Sequence, residues 1–178
     1  MSPLELEELD KWIDKNLEKG YIELSKSPWA VPVFFIKKKD GKLHLIQDYC
    51  PINKITVKHP YLILLTKDLI NCLQNAQYFI TLDIRWGYHN ICIKEAHEDR
   101  ATFLTHRGLY HPKVMLFGLT NSLATFQSFI NFIFAPLIAL GVVAVYLDDI
   151  VIFAETLELL QEYTDQVFQI LQDYDLFL

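Results

Sequence analysis

Cysteine is scarce in this chain: three residues, Cys50, Cys72 and Cys92, among 178, with no CxxC pair. That scarcity excludes a disulfide-stapled scaffold and a zinc ribbon, and makes a reducing, intracellular setting the expectation. Six Gly and seven Pro are too few for collagen-like or Pro-rich low-complexity chains. The opening Met1-Ser2-Pro3-Leu4-Glu5 has neither a basic stretch nor an apolar one, so no secretory leader is expected. Positive charge is also short, at 16 Lys and Arg against 22 Asp and Glu, a net of −6. The shortfall is uneven. Residues 1–60 hold ten Lys and nine acids, whereas residues 61–178 hold six basic and thirteen acidic side chains. Between Val114 and Leu147, 34 residues pass with no Asp, Glu, Lys or Arg at all.

That uncharged run raises the question of a membrane span, which needs roughly 20 mostly apolar residues. Asn121, Ser122, Thr125, Gln127, Ser128 and Asn131 interrupt it, and its cleanest part, Phe132–Leu147, contains Pro136 and Gly141. The expectation is therefore a buried helix followed by a buried strand, with no membrane partner. With 52% hydrophobic residues the chain has ample apolar surface to offset the entropy of ordering, which excludes a disordered class. Its length suits one domain or two small lobes.

Local signals give an α+β pattern, with helices packed against an antiparallel sheet. Ser2-Pro3-Leu4-Glu5 reads as a capping box with Pro at the first helical position. Leu6, Leu9, Ile13 and Leu17 follow at spacings of three and four, and Gly20 ends the helix. After the connector Ser25–Pro32, two strands, Val33–Lys39 and Lys42–Gln47, flank Asp40-Gly41, a pair suited to a tight hairpin. Lys37, Lys38, Lys39 and Lys42 make that tip strongly basic. Further on, Leu65–Asn75 reads as a helix and Tyr78–Asp83 as an apolar strand closed by an acid. Ile91–Lys94 and Ala101–Thr105 read as short strands around the polar loop Glu95–Arg100. Thr120–Ala139 reads as a long apolar helix. Val142–Leu147 and Ile150–Ala154 read as buried strands joined at Asp148-Asp149. Leu157, Leu160, Thr164, Val167 and Leu171 mark an amphipathic helix to Asp173. Leu176-Phe177-Leu178 reads as the start of another strand.

The tetrapeptide Tyr146-Leu147-Asp148-Asp149 carries the most information. Given 9 Tyr and 12 Asp, chance provides about 0.04 such matches in a chain of this length. Two carboxylates at one rigid tip repel unless they are solvated or bound to cations. Asp83 closes a second apolar strand. A sheet aligning that strand beside the hairpin brings three carboxylates to one edge. Oxygen ligands of this kind suit Mg²⁺, which takes one or two protein carboxylates together with substrate phosphates. Two such ions roughly 4 Å apart can activate a 3′-hydroxyl and stabilise a pyrophosphate leaving group.

Several further segments appear in order: Ser27-Pro28-Trp29-Ala30, Val33 through Gly41, Gln47-Asp48-Tyr49, Ile52-Asn53-Lys54, Leu82-Asp83-Ile84-Arg85-Trp86-Gly87-Tyr88, Phe117-Gly118-Leu119-Thr120-Asn121 and Ala124-Thr125-Phe126-Gln127. With Tyr146-Leu147-Asp148-Asp149 they resemble the fingers and palm of a reverse transcriptase, most of all those of Gypsy-type LTR retrotransposon polyproteins. The resemblance implies an RNA-directed DNA polymerase that adds deoxynucleotides to a primer 3′-end. It implies fingers over residues 1–57 and 91–121 and an antiparallel palm sheet packed on helices over 58–90 and 122–178. It also implies a primer-gripping hairpin, thumb, connection and RNase H beyond Leu178, in the same polyprotein. Its partners would be an RNA or DNA template with its primer, and deoxynucleoside triphosphates. Its cofactor would be two Mg²⁺ ions, with Mn²⁺ as a substitute.

By position, the resemblance makes Asp83, Asp148 and Asp149 the catalytic carboxylates and metal ligands, with the backbone carbonyl of Ile84 as a further metal contact. Tyr88 corresponds to the aromatic gate under the incoming sugar, and Lys38 to the fingers lysine that meets the triphosphate. Phe117 and Gly118 correspond to the segment near the sugar and base, and Gln127 to a helix residue behind the Tyr146–Asp149 hairpin. Other positions depart from the family pattern. Arg is usual where His44, Cys50 and Cys92 stand, and Pro where Leu62, Leu64 and Leu123 stand. A neutral imidazole lacks the planar, always-charged fork with which Arg grips a triphosphate. Each departure can arise from one C-to-T change on one DNA strand, the pattern the resemblance would give a decayed element copy. The resemblance therefore leaves a second reading, a catalytically silent remnant that at most binds nucleic acid through the Lys37–Lys42 hairpin. Nucleotide cyclases share paired acids on a palm, but not the surrounding segments.

Overall fold

The computed structural model describes residues 1–39, 41–61, 73 and 76–178. The expected helix over Leu65–Asn75 lies outside the described residues apart from Leu73, which is in a turn. The chain forms two compact units, one from residues 1–58 and 91–122 and the other from residues 59–90 and 123–178.

The first unit opens with α1 (Pro3–Glu18). The Ser2 hydroxyl accepts a hydrogen bond from the Glu5 N–H, and the Glu5 carboxylate accepts one from the Ser2 N–H. Leu9 and Ile13 are fully buried, and Gly20 takes a left-handed φ of 66° just past the helix end. The helix covers a five-stranded sheet of order β1-β6-β5-β2-β3. Its strands are β1 (Ile22–Leu24), β2 (Val31–Lys37), β3 (Leu43–Gln47), β5 (Phe103–Thr105) and β6 (Gly108–Pro112). Ile22, Val31, Leu45, Phe103 and Tyr110 supply the buried face, and Tyr49 and Leu116 close it.

This unit differs from the expectation in several features, among them the strands β1 and β6, which the local pattern did not signal. The strand expected from Val33 begins at Val31, because the Val31 N–H reaches the Thr102 carbonyl before Pro32, which has no N–H to give. That contact makes β2 and β5 a parallel pair inside an otherwise antiparallel sheet. Ile91–Lys94 contributes only one bridge, Cys92 to Val114, and Glu95–Ala101 winds into a 3₁₀ helix. A short helix, α2 (Cys50–Ile55), had no sequence signal beyond Pro51 in its first turn.

The second unit carries a three-stranded antiparallel sheet of order β4-β8-β7. These strands are β4 (Tyr78–Asp83), β7 (Val143–Tyr146) and β8 (Asp149–Ala154). Val143, Val145, Ile150 and Ile152 are buried, as expected for a wholly apolar hairpin. The strand β4 lies at the sheet edge and is half-exposed, so Asp83 ends a partly open strand and not a buried one. The long helix expected over Thr120–Ala139 is broken. It forms α3 (Ser122–Ile133) and α4 (Ala135–Ala139), because Pro136 has no N–H with which to extend the first helix past Phe134. The amphipathic helix α5 (Leu157–Asp173) starts from a Thr156 cap and buries Leu160, Thr164, Val167 and Leu171. Leu176–Leu178 forms no strand, although the Phe177 carbonyl accepts a hydrogen bond from the Arg85 N–H at 2.7 Å. No helix among the described residues is long and apolar enough to cross a membrane.

Candidate carboxylate site

The second sheet ends in carboxylates. In the β4–β8 ladder Asp83 stands directly opposite Asp149, and Asp149 stands opposite Tyr146 on β7. Opposed residues share a face, with Cα atoms about 4.5–5.5 Å apart. The turn expected at Asp148-Asp149 is shifted by one residue. Asp149 is the first residue of β8, and Leu147 and Asp148 make the two-residue loop. Such a loop needs a positive φ, and Leu147 adopts 53°. A non-glycine residue held there costs of order 1–3 kcal/mol, so surrounding contacts must hold the tip in place.

Gln127 is one of those contacts. It is 2% exposed on α3, and its Oε1 accepts the Leu147 N–H at 2.7 Å. Its Nε2 donates to the Val145 carbonyl at 3.2 Å and to Asn131 Oδ1 at 2.9 Å, and Asn131 donates onward to the Tyr61 hydroxyl at 2.8 Å. The resemblance implies a helix residue at Gln127 behind the hairpin, but not the relay through Asn131 and Tyr61. Its signal was present in the i, i+4 spacing of two amides inside an apolar run.

The other wall of the site is the loop after β4. The Ile84 N–H donates to the Asp148 carbonyl at 2.9 Å, and Ile84 is 2% exposed. At Gly87 a Cβ would lie 2.6 Å from Asp148 Oδ1 and 2.5 Å from Phe126 Cζ, closer than real contacts allow. Only glycine fits there, a requirement with no signal in the local residue pattern. Tyr88 is buried with its ring 5.2 Å from that of Phe126. Burial, and then the Asp148 charge, push its hydroxyl pKa up.

Asp148 is electrostatically the most stressed of the three acids. Burial raises its pKa first, followed by the charges of Asp83 and then Asp149. Its Oδ1 is shut off from solvent and has no hydrogen-bond partner in the protein. A buried carboxylate oxygen without a donor, facing two like charges, fits a cation. Yet no three His, Cys, Asp or Glu side chains among the described residues are gathered into a ready-made metal centre. Any ion at this edge would have to draw further oxygens from elsewhere, as Mg²⁺ does from substrate phosphates.

Lys38, Phe117 and Gly118 belong to the first unit. Lys38 is exposed beyond β2, where its N–H donates to the Lys42 carbonyl and Gly41 takes a φ of 81°. Phe117 is 62% exposed. Gly118, at φ 96°, has its carbonyl accept a hydrogen bond from Asn53 Nδ2 at 2.7 Å, while Asn53 Oδ1 accepts the Thr120 N–H at 2.8 Å. Both ends of the Asn53 amide thus fix the loop that presents Phe117. The segment Ile52-Asn53-Lys54 carries no local signal of this clamp.

Residues 36–178 match the family described as reverse transcriptase (RNA-dependent DNA polymerase). The chain belongs to the reverse transcriptase family. Among its relatives, the Transposon Tf2-3 polyprotein of Schizosaccharomyces pombe (strain 972 / ATCC 24843) is 33% identical over 156 residues, and the Tf2-7 polyprotein of the same yeast is 32% identical. Each match takes in 88% of this chain and 12% of the relative, so the chain spans about an eighth of those polyproteins. The sequence is that of a reverse transcriptase domain of the LTR retrotransposon kind. Its fold is similar to the foamy viral protease–reverse transcriptase in complex with an RNA/DNA hybrid. There the TM-score is 0.83 at 20% identity, over 98% of this chain and 23% of that one. It is also similar to that protein's dRH form in complex with double-stranded DNA, with a TM-score of 0.76 at 23% identity, over 93% of this chain and 28% of that one.

Proposed function

We propose that this reverse transcriptase domain catalyses template-directed addition of deoxynucleotides to a primer 3′-end, at the edge formed by Asp83, Asp148 and Asp149. The observation that carries the reading is the orphaned, buried Oδ1 of Asp148 beside two further carboxylates. Asp83 and Asp148, with Asp149 and the Ile84 carbonyl, would hold two Mg²⁺ ions, or Mn²⁺ in their place. When bound, such ions make a primer hydroxyl more acidic and neutralise charge on a departing pyrophosphate. The chain's own residues keep that edge in position. Gln127 fixes the hairpin backbone, Gly87 leaves room for the Asp148 carboxylate, and Tyr88 lies against Phe126 as the floor expected to face the nucleotide sugar. In this reading residues 59–90 and 123–178 form the palm and the first unit the fingers. Lys38, Phe117 and Gly118 would meet the triphosphate, sugar and base from the fingers. The partners are a primed RNA or DNA template and deoxynucleoside triphosphates.

His44 favours a second reading, the silent remnant. It lies half-buried on β3 opposite Ile36, where the resemblance expects Arg. Leu123 weighs less, since the first turn of α3 accepts Leu as well as Pro. Primer extension on a poly-rA template with Mg²⁺ or Mn²⁺ decides between the two, with Asp148→Asn as control. Extension that is lost in Asp148→Asn supports the polymerase. If the unmodified protein and a His44→Arg variant both fail to extend and neither gains thermal stability from Mg²⁺, the carboxylate edge is not a working metal site and the remnant reading stands.

A further inference from the structure

The hydrogen bonds that hold the carboxylate hairpin do not stop at Gln127. The Leu147 N–H donates to Gln127 Oε1 at 2.7 Å, Gln127 Nε2 donates to Asn131 Oδ1 at 2.9 Å, and Asn131 Nδ2 donates to the Tyr61 hydroxyl at 2.8 Å. All of these residues belong to the second unit. Gln127 and Asn131 stand one turn apart on α3, whereas Tyr61 precedes Asn131 by 70 positions. The sense of each link is dictated from the hairpin outward. A backbone N–H can only donate and a carbonyl can only accept. Leu147 therefore takes Oε1 of Gln127, and the Val145 carbonyl takes Nε2. The second hydrogen on Nε2 needs an acceptor, because Gln127 is 2% exposed. Asn131 supplies one with Oδ1, which turns its own Nδ2 toward Tyr61. Turned the other way, Asn131 would set one NH₂ group against another.

The consequence falls on Asp148. Leu147 holds a φ of 53°, a conformation that persists only where the surroundings impose it. Its N–H is fixed by Gln127, and the carbonyl of the next residue, Asp148, accepts the Ile84 N–H at 2.9 Å. The Asp148 side chain leaves the backbone between those two bonds. We propose that Asn131 and Tyr61 are positioning residues for the carboxylate edge. They act through Gln127 to hold Leu147, and with it Asp148, where Asp83 and Asp149 can share a cation with it. The inference rests on the polymerase reading for its catalytic consequence and adds two residues to it. A misplacement of about 1 Å at a reacting centre can cost about 10²-fold in rate, so a loosened hairpin has a measurable effect.

The test compares variants of the full chain. Asn131→Leu removes both amide bonds at nearly constant size. Asn131→Asp keeps an acceptor for Gln127 and can accept from a reoriented Tyr61 hydroxyl. Tyr61→Phe removes only the outer link. Val167→Ala is the control, since Val167 is fully buried on α5 and its truncation weakens the same unit without touching the relay. Amide hydrogen exchange followed by NMR reports on the hairpin itself and requires neither metal nor activity. Relative to the Ile152 N–H in mid-sheet, the Leu147 N–H should exchange about tenfold faster in Asn131→Leu, about threefold faster in Tyr61→Phe and no faster in Asn131→Asp. Val167→Ala should speed both amides equally. In primer extension, Asn131→Leu should lower kcat about tenfold with KM for nucleotide within about twofold, and Asn131→Asp should keep kcat within about threefold of the unmodified protein. Equal acceleration of Leu147 and Ile152 in Asn131→Leu, the pattern of the control, would overturn the inference. So would unchanged Leu147 exchange in Asn131→Leu, or equal losses of kcat in Asn131→Leu and Val167→Ala. If the unmodified protein extends no primer while Leu147 exchange responds as expected, the polymerase reading is overturned and the hold on the hairpin is supported.

Discussion

The two units differ in how their charges are balanced. Residues 1–58 and 91–122 carry fourteen Lys and Arg against twelve acids, a net of +2. Residues 59–90 and 123–178 carry two, Lys67 and Arg85, against ten acids, a net of −8. In the first unit opposite charges meet: Arg107 lies 2.6 Å from Asp14 and 3.5 Å from Asp10, and Lys113 lies between Glu23 and Glu98. In the second unit the best-placed acids face one another. A surface whose charges are already paired is complete as folded, whereas one that collects like charges at a rigid edge is stabilised only by a cation from outside. The net charge of the whole chain conceals this difference, which becomes visible once the chain is divided.

Neutralising the edge should have the largest effect. Asp148→Asn is expected to lower primer extension by about 10³-fold, the equivalent of several kcal/mol of electrostatic stabilisation. Lys38→Ala, in the other unit, should chiefly raise KM for nucleotide, as loss of ground-state binding does. Steady-state kinetics on a primed template separates the two, and equal losses of kcat would show that the units do not divide the work in this way.

Packing comes next. Gly87→Ala should destabilise the second unit by about 1–3 kcal/mol in chemical denaturation, since the added methyl overlaps Phe126 and Asp148. Asn53→Ala, which frees the Gly118 carbonyl and the Thr120 N–H in the first unit, should cost about 1–2 kcal/mol. A null result for Gly87→Ala would mean that the Asp148 wall yields and is not a fixed cradle.

Mg²⁺ should act on one unit alone. At tenfold excess over its dissociation constant it should stabilise the second unit by ~1.4 kcal/mol, seen as a rise in Tm that Asp148→Asn abolishes. The smallest effect concerns pH. The Asp148 carboxyl is held above the usual Asp range by burial, then by Asp83 and Asp149. An acid whose pKa is raised on folding binds its proton more tightly in the folded state. Its charged form therefore penalises the fold above both pKa values, and the penalty fades as pH falls through them. Without Mg²⁺, Asp148→Asn should raise Tm near neutral pH by about 1–2 °C, and the gap should close below about pH 4. A gap that widens on acidification would contradict this sign.

Periodic segments were legible in the sequence. Tyr78–Asp83 and the helix to Asp173 have the bounds read from their patterns, and the capping box at Ser2 and Glu5 forms as spaced. Features decided by tertiary contact were not. The one-residue shift at Asp149 depends on Leu147 accepting a strained φ under the hold of Gln127, and no local propensity encodes that. The parallel β2–β5 pair is a meeting of residues some seventy positions apart. At the carboxylate edge the acids themselves could be read, because Tyr146-Leu147-Asp148-Asp149 is rare by chance. The supports at Gly87, Asn131 and Asn53 are common residue types whose importance comes only from what they touch.

The pairing of β4 with β8 also bears on the order in which the chain can fold during synthesis. Tyr78 is translated 76 residues before its partner Ala154, and the first unit's last segment lies between them. At about 5–20 residues per second, β4 waits roughly 4–15 s for the strand that will cover it. Throughout that interval Tyr78 and Phe79, still 41% and 48% exposed in the finished fold, belong to an unpaired strand that other nascent chains could join. The first unit can close once Ser122 has been made, whereas the carboxylate edge can form only after the ribosome has passed Asp149. Slow or crowded synthesis should therefore cost the protein its candidate active site before it costs the neighbouring unit its core.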